Sequence, residues 1–336
     1  MRTADFAYDL PVESIAQEPV EPRDASRLLD CREMTDHRFS DLPSLLAAGD
    51  LVVVNRTRVR RARLHGVRQD TGGAVELLLL RSDGEIWSAL ARPSRRLRPG
   101  IVIEVGPLRA TVAADPVDGV IDVELSTSDG APVEEAIEAL GEVPLPPYFS
   151  GALSTPDRYQ TIFAQKTASS AAPTAGLHFT ESVVADLEDR GIELTKIDLE
   201  VGLDTFRPIS TEDVADHEIH TERVEVGAEV ATAIAAARRR GGRVIAVGTT
   251  VVRALESAGD GSGNVSEFAG DTDLFITPGY QFGVVDGLVT NFHVPSSTLV
   301  VLVAAFMGEK WRLAYATALE RGYRMLSFGD AMMVFL

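Results

Sequence analysis

The sequence has a single cysteine and no long apolar run, and both absences narrow what the chain can be. Cys31 alone cannot form an internal disulfide or a thiolate metal cluster. The longest apolar stretch, Thr298 to Met307, is about half the length of a membrane span and predicts a buried helix instead. The N-terminal residues MRTADFAYDL contain acids and no apolar h-region, so no secretory signal is visible. We therefore expect a cytoplasmic protein with no membrane partner.

Positive charge is outnumbered by negative charge, but it is clustered. The net charge of −18 argues against nucleic acid as a partner, because phosphate binding needs cationic surface. Ten arginines nevertheless crowd into two short segments, RTRVRRARLHGVR and RPSRRLR, which begin at Arg56 and Arg92. Such clusters are typical either of a solvated edge strand protected by charge or of a local basic face that attracts a polyanion. The sequence leaves both interpretations open.

The hydrophobic pattern changes along the chain and predicts two domains within 336 residues. From about residue 51 to 128, six or seven short β-type segments, of which LVVV is the first, alternate with turn residues and predict a small barrel. From Phe179 onward, helical and strand patterns alternate, which is typical of a layered α/β domain. We predict an α/β fold in which a layered α/β domain (residues 1–55 and 148–336) carries an inserted small β-barrel domain (residues 56–147).

One segment, RVIAVGTTVVRALES, combines an apolar strand, a glycine turn and two threonines that open a helix. Exposed amides at Gly248, Thr249 and Thr250, with hydroxyls beside them, are suited to a carboxylate or phosphate, and Arg253 adds charge one turn later. An ordinary strand-to-helix junction capped by threonine gives the same pattern. The glycine spacing of a Rossmann or P-loop site is missing, so the segment is no nucleotide fingerprint.

Two of the six histidines occur in unusual surroundings. His178 lies near the end of the run SSAAPTAGLHFT, whose proline and glycine predict an ordered loop that brings backbone close to another group. Asn291 and His293 lie at i and i+2 near a strand end, so we expect both on one face. Polar side chains there cost free energy unless they are paired, and a satisfied core histidine is the alternative to a site role.

Three further patterns complete the prediction. FITPGYQF and GLVTNFHV read as two strands on either side of an Asp-Gly turn. HEIH, from His217 to His220, would place both rings on one side of a helix, but HExxH and a nearby cysteine are missing, so we predict no metal site. Asp330 precedes a final apolar strand, where a carboxylate either forms a turn or recognises an amine or a sugar hydroxyl.

Taken together, these motifs resemble one family in colinear order over nearly the whole chain, the S-adenosylmethionine:tRNA ribosyltransferase-isomerases of queuosine biosynthesis. The segments that carry the resemblance are YDLPVESIAQEPVEPRDASRLL, LVVVNRTRVRRARL, PLPPYF, RYQTIFA, AAPTAGLHFT, VGLDTFRP, HEIHTE, RVIAVGTTVVRALES, DLFITPGYQF, LVTNFHVPSSTL and YRMLSFGDAM. The resemblance implies an α/β domain interrupted by a β-barrel.

The resemblance also implies a reaction. S-adenosylmethionine, a consumed co-substrate, would donate its ribosyl group to the aminomethyl arm of a 7-deazaguanine at the tRNA wobble position. Adenine and methionine would leave, and the product would be epoxyqueuosine-tRNA. The implied partners are this tRNA and S-adenosylmethionine, with no further cofactor; a monomer is compatible with the sequence, which does not fix the oligomeric state.

The implied chemistry assigns roles to the residues above. The sulfonium acidifies the ribose C5′ protons, so a general base is needed, and we expect His178 in this role with His293 as the second candidate. The expected substrate-binding residues are Thr174, Ala175, Gly176, Gly248, Thr249, Thr250, Arg253, Asn291 and Asp330. The expected RNA-binding residues are Arg58, Arg60, Arg61 and Arg63, with Tyr148, Phe149 or Tyr280 stacking on anticodon-loop bases.

The chain departs from the family pattern at two places. Arg56 adds charge where the family often has asparagine, and Leu203 with Asp204 stands where a smaller pair is usual. Two other functions therefore remain open: ribosyl transfer from S-adenosylmethionine to a different acceptor, and tRNA binding without catalysis.

Overall fold

The computed structural model describes residues 1–117, 119–151, 153, 155–202 and 207–336, without the side chain of Asp83. The described residues form two compact units. The first contains Met1–Arg58 and Pro146–Leu336, and the second contains Val59–Leu145. Leu203 and Asp204, one of the two departures from the family pattern, lie outside the described residues.

The strands, in chain order, are β1 Arg27–Asp30, β2 Thr35–Arg38, β3 Leu51–Asn55, β4 Thr57–Val59, β5 Arg63–Arg68, β6 Ala74–Asp83, β7 Ile86–Arg92, β8 Val102–Val105, β9 Leu108–Val112, β10 Val120–Thr127, β11 Lys166–Ser169, β12 Glu193–Leu199, β13 Glu222–Val226, β14 Val244–Val247, β15 Phe268–Thr272, β16 Gly287–Asn291 and β17 Ala331–Phe335. The helices are α1 Leu42–Leu45, α2 Val133–Leu140, α3 Glu181–Asp189, α4 Ala228–Arg239, α5 Thr249–Ala258, α6 Thr298–Met307 and α7 Lys310–Glu320. Short 3-10 turns include Arg23–Ala25, Phe39–Asp41, Pro156–Tyr159 and Thr174–His178.

A large mixed sheet organises the first unit. Its strand order is β15-β13-β12-β3-β14-β16-β17-β1-β2, and the pairs from β12 through β16 are parallel. β3, β14 and β16 are buried along their whole length, as expected of parallel strands covered on both faces. Alternate residues of β3 enter different core clusters, with Leu51 and Val53 in one and Val52 and Val54 in the other.

Helices cover the sheet as the alternating pattern predicts. α5 packs Val251, Val252 and Leu255 into one of the two cores. α6 begins after Ser297, whose hydroxyl accepts a hydrogen bond from the Val300 amide, and it is buried over almost its whole length. The apolar run at 298–307 is therefore a core helix, as predicted.

The second unit contains a closed antiparallel barrel with the strand order β10-β7-β6-β5-β8-β9. Its strands alternate between buried and exposed positions, as the period of two requires. Gly66 in β5 makes room for a neighbouring strand, because a Cβ there would lie 2.7 Å from Ile103 Cγ2. The predicted α/β fold with a small β-barrel is confirmed, although the LVVV segment forms β3 of the large sheet and not a barrel strand.

A further local prediction is wrong. FITPGYQF is not a strand, because it bends at Pro278 and Gly279, where the Tyr280 amide bonds to the Thr277 carbonyl. The chain beyond this bend is held by a side chain: the Glu256 carboxylate accepts hydrogen bonds from the amides of residues 283, 284 and 285 at 2.9–3.0 Å. HEIH, for which a helix is only considered in the sequence analysis, runs as irregular chain over residues 217–220 into β13.

The core packing of the first unit generates a stability prediction. Leu255 in α5 is fully buried, whereas Leu313 in α7 is 57% exposed. Leu255→Ala leaves a cavity and should lower the free energy of unfolding by about 2–5 kcal/mol, while Leu313→Ala should change it by less than about 0.5 kcal/mol. Urea unfolding is followed through Trp311 fluorescence in a Trp87→Phe background, which removes the barrel's tryptophan signal. Equal losses for the two leucines would contradict this packing.

Candidate active site

The loop that carries His178 contains the short helix Thr174–His178, and its small residues are buried. Ala171 and Ala172 pack within the first unit. The chain therefore comes close to other protein segments at this point. Ala175 lies beside the N-terminus of α5, because a Cβ built on Gly248 would be 3.7 Å from the Ala175 Cβ.

The His178 ring is buried and both of its nitrogens have partners. Nδ1 lies 2.7 Å from Ser26 Oγ, and Nε2 lies 3.0 Å from Asn291 Nδ2. The ring also stacks on Phe39 with centroids 5.0 Å apart. Since an amide nitrogen only donates, Nε2 is the acceptor and the neutral ring carries its proton on Nδ1.

Asn291, at the end of β16, joins His178 to neighbouring segments. Its Oδ1 accepts a hydrogen bond from Thr174 Oγ1 at 3.0 Å. Its Nδ2 also faces the carbonyls of Leu326 and Asp330, at 3.3 and 3.4 Å. The structure thus brings together Thr174, His178 and Asn291, three residues that the sequence analysis selects separately.

His293 follows β16 and is also buried, but its ring is less constrained. Nε2 lies 3.0 Å from Thr290 Oγ1, and within the described ranges Nδ1 makes no hydrogen bond. The backbone is fixed by tyrosines: the His293 amide donates to Tyr315 Oη at 3.1 Å, and its carbonyl accepts from Tyr8 Oη. The ring lines a cavity, here called the His293 cavity. Its lining residues are Tyr148, Thr174, Asn291, Phe292, His293, Val294, Ser297, Leu299, Leu326 and Ser327.

Burial makes both histidines hard to protonate. Desolvation lowers the pKa of His178 to about 3, with smaller contributions from the positive charges of Arg324 and Arg23. Desolvation alone lowers the pKa of His293 to about 3. Both rings are therefore neutral near pH 7.

A second cavity, the Arg253 cavity, adjoins the first at Leu299, which lines both. Its lining residues are Ile219, His220, Glu222, Thr249, Thr250, Arg253, Leu274, Phe275, Ile276, Thr298, Leu299 and Leu302. Gly248 precedes α5 with φ +95°, a conformation that favours glycine. The starts of two helices, α5 and α6, meet at this cavity.

Three buried threonines in this cavity carry hydroxyls that have no hydrogen-bond partner among the described residues. They are Thr249, Thr250 and Thr298, which are 5%, 6% and 7% exposed. Thr298, at the start of α6, is missed by the sequence analysis; the only sequence signal is its position after Pro-Ser-Ser, where a helix begins. Unpaired hydroxyls and helix-start amides together can bind a carboxylate.

Arg253 is held by the protein. Its guanidinium pairs with the buried Glu222 and donates to the carbonyls of Leu274 and Thr272 at 3.0 and 3.3 Å. Glu222 also accepts from the Gly202 amide and lies 3.3 Å from His220 Nε2. His220 of HEIH thus contacts the Arg253–Glu222 ion pair, and Glu222 is a site residue that the sequence analysis does not identify.

Asp330 supports the backbone. Its carboxylate accepts hydrogen bonds from the amides of Arg27 and Arg324 at 2.9 and 2.8 Å. Arg56, the other departure from the family pattern, makes a bidentate pair with Asp198 at 3.0 Å, so its added charge is neutralised.

The aromatic residues expected to stack on bases lie in different places. Tyr148 lines the His293 cavity, and its hydroxyl lies 2.5 Å from Ser327 Oγ. Phe149 packs on Phe328 with centroids 5.0 Å apart. Tyr280 donates to Glu256 at 3.2 Å, beyond the bend at Pro278.

The strand arginines expected to bind RNA carry acidic partners. Arg60 lies 3.4 Å from Glu134 and covers the Trp87 ring. Arg61 pairs with Glu138 at 3.8 Å, and Arg63 pairs with Glu76 at 3.6 Å. Arg58 lies in β4 and is half-buried.

The described part of the chain contains no group of three or more histidine, cysteine or acidic side chains placed to hold a metal ion. In the same residues, no helix combines the length and the apolarity that crossing a bilayer would require.

Comparison with known proteins gives concordant matches. A family model described as "Queuosine biosynthesis protein" matches residues 3–334. Relatives from Heliobacterium modesticaldum and Moorella thermoacetica, both named S-adenosylmethionine:tRNA ribosyltransferase-isomerase, are each 49% identical over 99% of this chain and 100% of their own length.

A solved structure is also similar. It is described as S-adenosylmethionine tRNA ribosyltransferase from Thermotoga maritima, with 34% identity and a TM-score of 0.56, and the match covers 98% of this chain and 100% of that one. With the family model spanning almost the whole sequence, the chain belongs to the queuosine biosynthesis protein family.

Proposed function

We propose that this protein is an S-adenosylmethionine:tRNA ribosyltransferase-isomerase. It transfers the ribosyl group of S-adenosylmethionine to the aminomethyl group of a 7-deazaguanine at the tRNA wobble position, forms epoxyqueuosine-tRNA and releases adenine and methionine. Family membership supports a tRNA substrate. The observation that carries the proposal is the pair of cavities that meet at Leu299, with His293 in one and the unpaired threonine hydroxyls in the other.

The general base is His293 in this proposal. Both nitrogens of His178 are occupied, whereas His293 Nδ1 has no partner within the described ranges and the ring faces a cavity. With its Nε2 proton donated to Thr290 Oγ1, the neutral ring presents a lone pair on Nδ1. That lone pair takes a C5′ proton made acidic by the adjacent sulfonium, and Thr290 remains as acceptor for the imidazolium.

His178 acts through Asn291. His178 Nε2 accepts a hydrogen bond from Asn291 Nδ2 and so fixes the orientation of the Asn291 amide. Asn291 Oδ1 then accepts from Thr174 and holds it at the edge of the His293 cavity. His178 is thus a positioning residue. The acceptor base enters the His293 cavity beside Tyr148, whose ring offers a stacking surface.

The methionyl group of the donor occupies the Arg253 cavity. Its carboxylate binds the start of α5 at Thr249 and Thr250, with Thr298 from α6 as a third hydroxyl. Arg253 contributes indirectly, because its charge is paired with Glu222. The apolar wall, which includes Leu274 and Leu302, takes the methylene groups of the methionyl chain.

An adenine-release assay tests the function. The protein is incubated with S-adenosylmethionine alone, with unmodified tRNA, and with tRNA that carries the 7-aminomethyl-7-deazaguanine. We expect adenine only in the third incubation, because only that tRNA carries the aminomethyl group that accepts the ribosyl group. Release of adenine with a different acceptor would support ribosyl transfer from S-adenosylmethionine to that acceptor. No release of adenine in any incubation would support tRNA binding without catalysis.

Variants separate the two histidines. His293→Ala should lower kcat by about 100- to 10,000-fold, the usual contribution of a general base, and added imidazole should restore part of the rate. His178→Ala should also lower turnover, because Asn291 loses its partner, but imidazole should not restore it. Wild-type turnover in His293→Ala would exclude it as the base, and an unchanged rate in His178→Ala would remove that ring from the mechanism.

The buried histidines also predict acid sensitivity. Each has a folded-state pKa of about 3, below the ordinary value of 6.5, so between these values the unfolded chain binds more protons. Their stabilising contribution is complete above pH 6.5 and is lost as the pH falls toward 3. At pH 5 the loss is about 2 kcal/mol per histidine.

Replacement of a buried ring should remove part of this dependence. Urea unfolding at pH 7 and pH 5 is compared for the wild type, His178→Gln and a control, His65→Gln, whose side chain is 57% exposed. We expect the drop in unfolding free energy to shrink by about 2 kcal/mol in His178→Gln and to remain in the control. An undiminished drop in His178→Gln would mean that this ring is protonated in the folded protein.

A further inference from the structure

The barrel carries a second group of arginines in the connection from β7 to β8. Arg92 ends β7, and Arg95, Arg96 and Arg98 follow within six residues. Arg92, Arg95 and Arg96 are exposed. None of these three side chains forms a hydrogen bond or ion pair with another described residue. This differs from the predicted strand face, where Arg60, Arg61 and Arg63 are each paired with a glutamate.

The connection has a defined shape. Leu97 is buried at its centre, and its amide bonds to the Ser94 carbonyl at 3.0 Å. Two further arginines bind its carbonyl groups. Arg98 Nη1 donates to the carbonyls of residues 95 and 97 at 3.3 and 2.8 Å, and Arg68 Nη1 donates to the carbonyl of residue 96 at 3.2 Å. These hydrogen bonds fix the backbone of the loop from which the arginine side chains extend.

The local charges do not cancel. Arg68 pairs with Asp70 at 2.6 Å, and Arg98 lies 3.7 Å from Asp115. Arg92 lies across from Glu76 in the ladder between β6 and β7, but the Glu76 carboxylate pairs with Arg63. Three guanidinium groups thus have no acidic partner among the described residues, in a chain with a net charge of −18. Such groups favour phosphate, which guanidinium binds through two parallel hydrogen bonds.

We propose that Arg92, Arg95 and Arg96 form an RNA-docking surface that binds the phosphate backbone of the tRNA substrate. The inference rests on the proposed function. It places tRNA docking on this loop and not on Arg58, Arg60, Arg61 and Arg63, the residues expected from the sequence. An extended backbone is the fitting partner, because the three side chains are exposed and line neither described cavity. Contacts of this kind give affinity and salt dependence without reading sequence.

The test compares two triple variants that lose the same charge. Arg92→Gln/Arg95→Gln/Arg96→Gln alters the loop. Arg190→Gln/Arg223→Gln/Arg239→Gln alters three exposed arginines of the first unit and serves as the control. The probe is an unmodified tRNA transcript with guanine at the wobble position, and Kd is measured by fluorescence anisotropy across a salt series.

The loop variant should raise Kd by about tenfold or more near 0.1 M salt. It should also make the slope of log K against log salt shallower by about two to three, since each lost phosphate contact removes about 0.9. The control variant should keep the wild-type slope. In the adenine-release assay, the loop variant should raise the KM for tRNA and leave kcat unchanged.

An unchanged slope in the loop variant, an equal loss in both variants, or a wild type that binds no tRNA would overturn the docking surface. A wild type that binds tRNA with the expected slope but releases no adenine would instead contradict the proposed function, and the two variants would still decide the surface.

Discussion

The buried side-chain amide of Asn291 is the interaction on which the candidate site depends. An amide in a low-dielectric interior must find partners for its oxygen and its nitrogen. Here the oxygen accepts from Thr174, while the nitrogen faces His178 and the carbonyls of Leu326 and Asp330. Three chain segments, residues 174–178, the end of β16 and residues 326–330, therefore meet at one side chain. Because a partly satisfied buried network costs more free energy than apolar packing, these segments keep their arrangement only together.

Several acidic side chains of this acidic protein accept hydrogen bonds from backbone amides. Glu256 and Asp330 accept from backbone amides that lack a strand partner. Asp50 accepts from the amides of Ala47 and Arg243; burial opposes its ionisation, but these bonds and the Arg243 guanidinium hold its pKa below the usual value. A net charge counted from the sequence therefore overstates the acidity of the surface, and it is a weak argument against an RNA substrate.

The sequence predicts those features that depend on local periodicity. The apolar runs of β3, β14 and β16 and the buried α6 follow from pattern, and the α/β fold with a small barrel is confirmed. Predictions fail where distant side chains decide the outcome, as in the segment at Pro278 that Glu256 holds. The same limit applies to the site: composition singles out His178, but only the fold supplies Ser26 and Asn291 as the partners that occupy its nitrogens.

The barrel's two chain ends run side by side, since the backbones of Arg63 and Glu142 exchange hydrogen bonds at 3.1 and 2.9 Å. Once the barrel has closed, its entry and exit are fixed near each other. The long insertion then acts on the rest of the chain as a short connection does, with little further loss of loop entropy. The size of the barrel can therefore change without adding an entropic cost to the pairing of the sheet strands that precede and follow it in the chain.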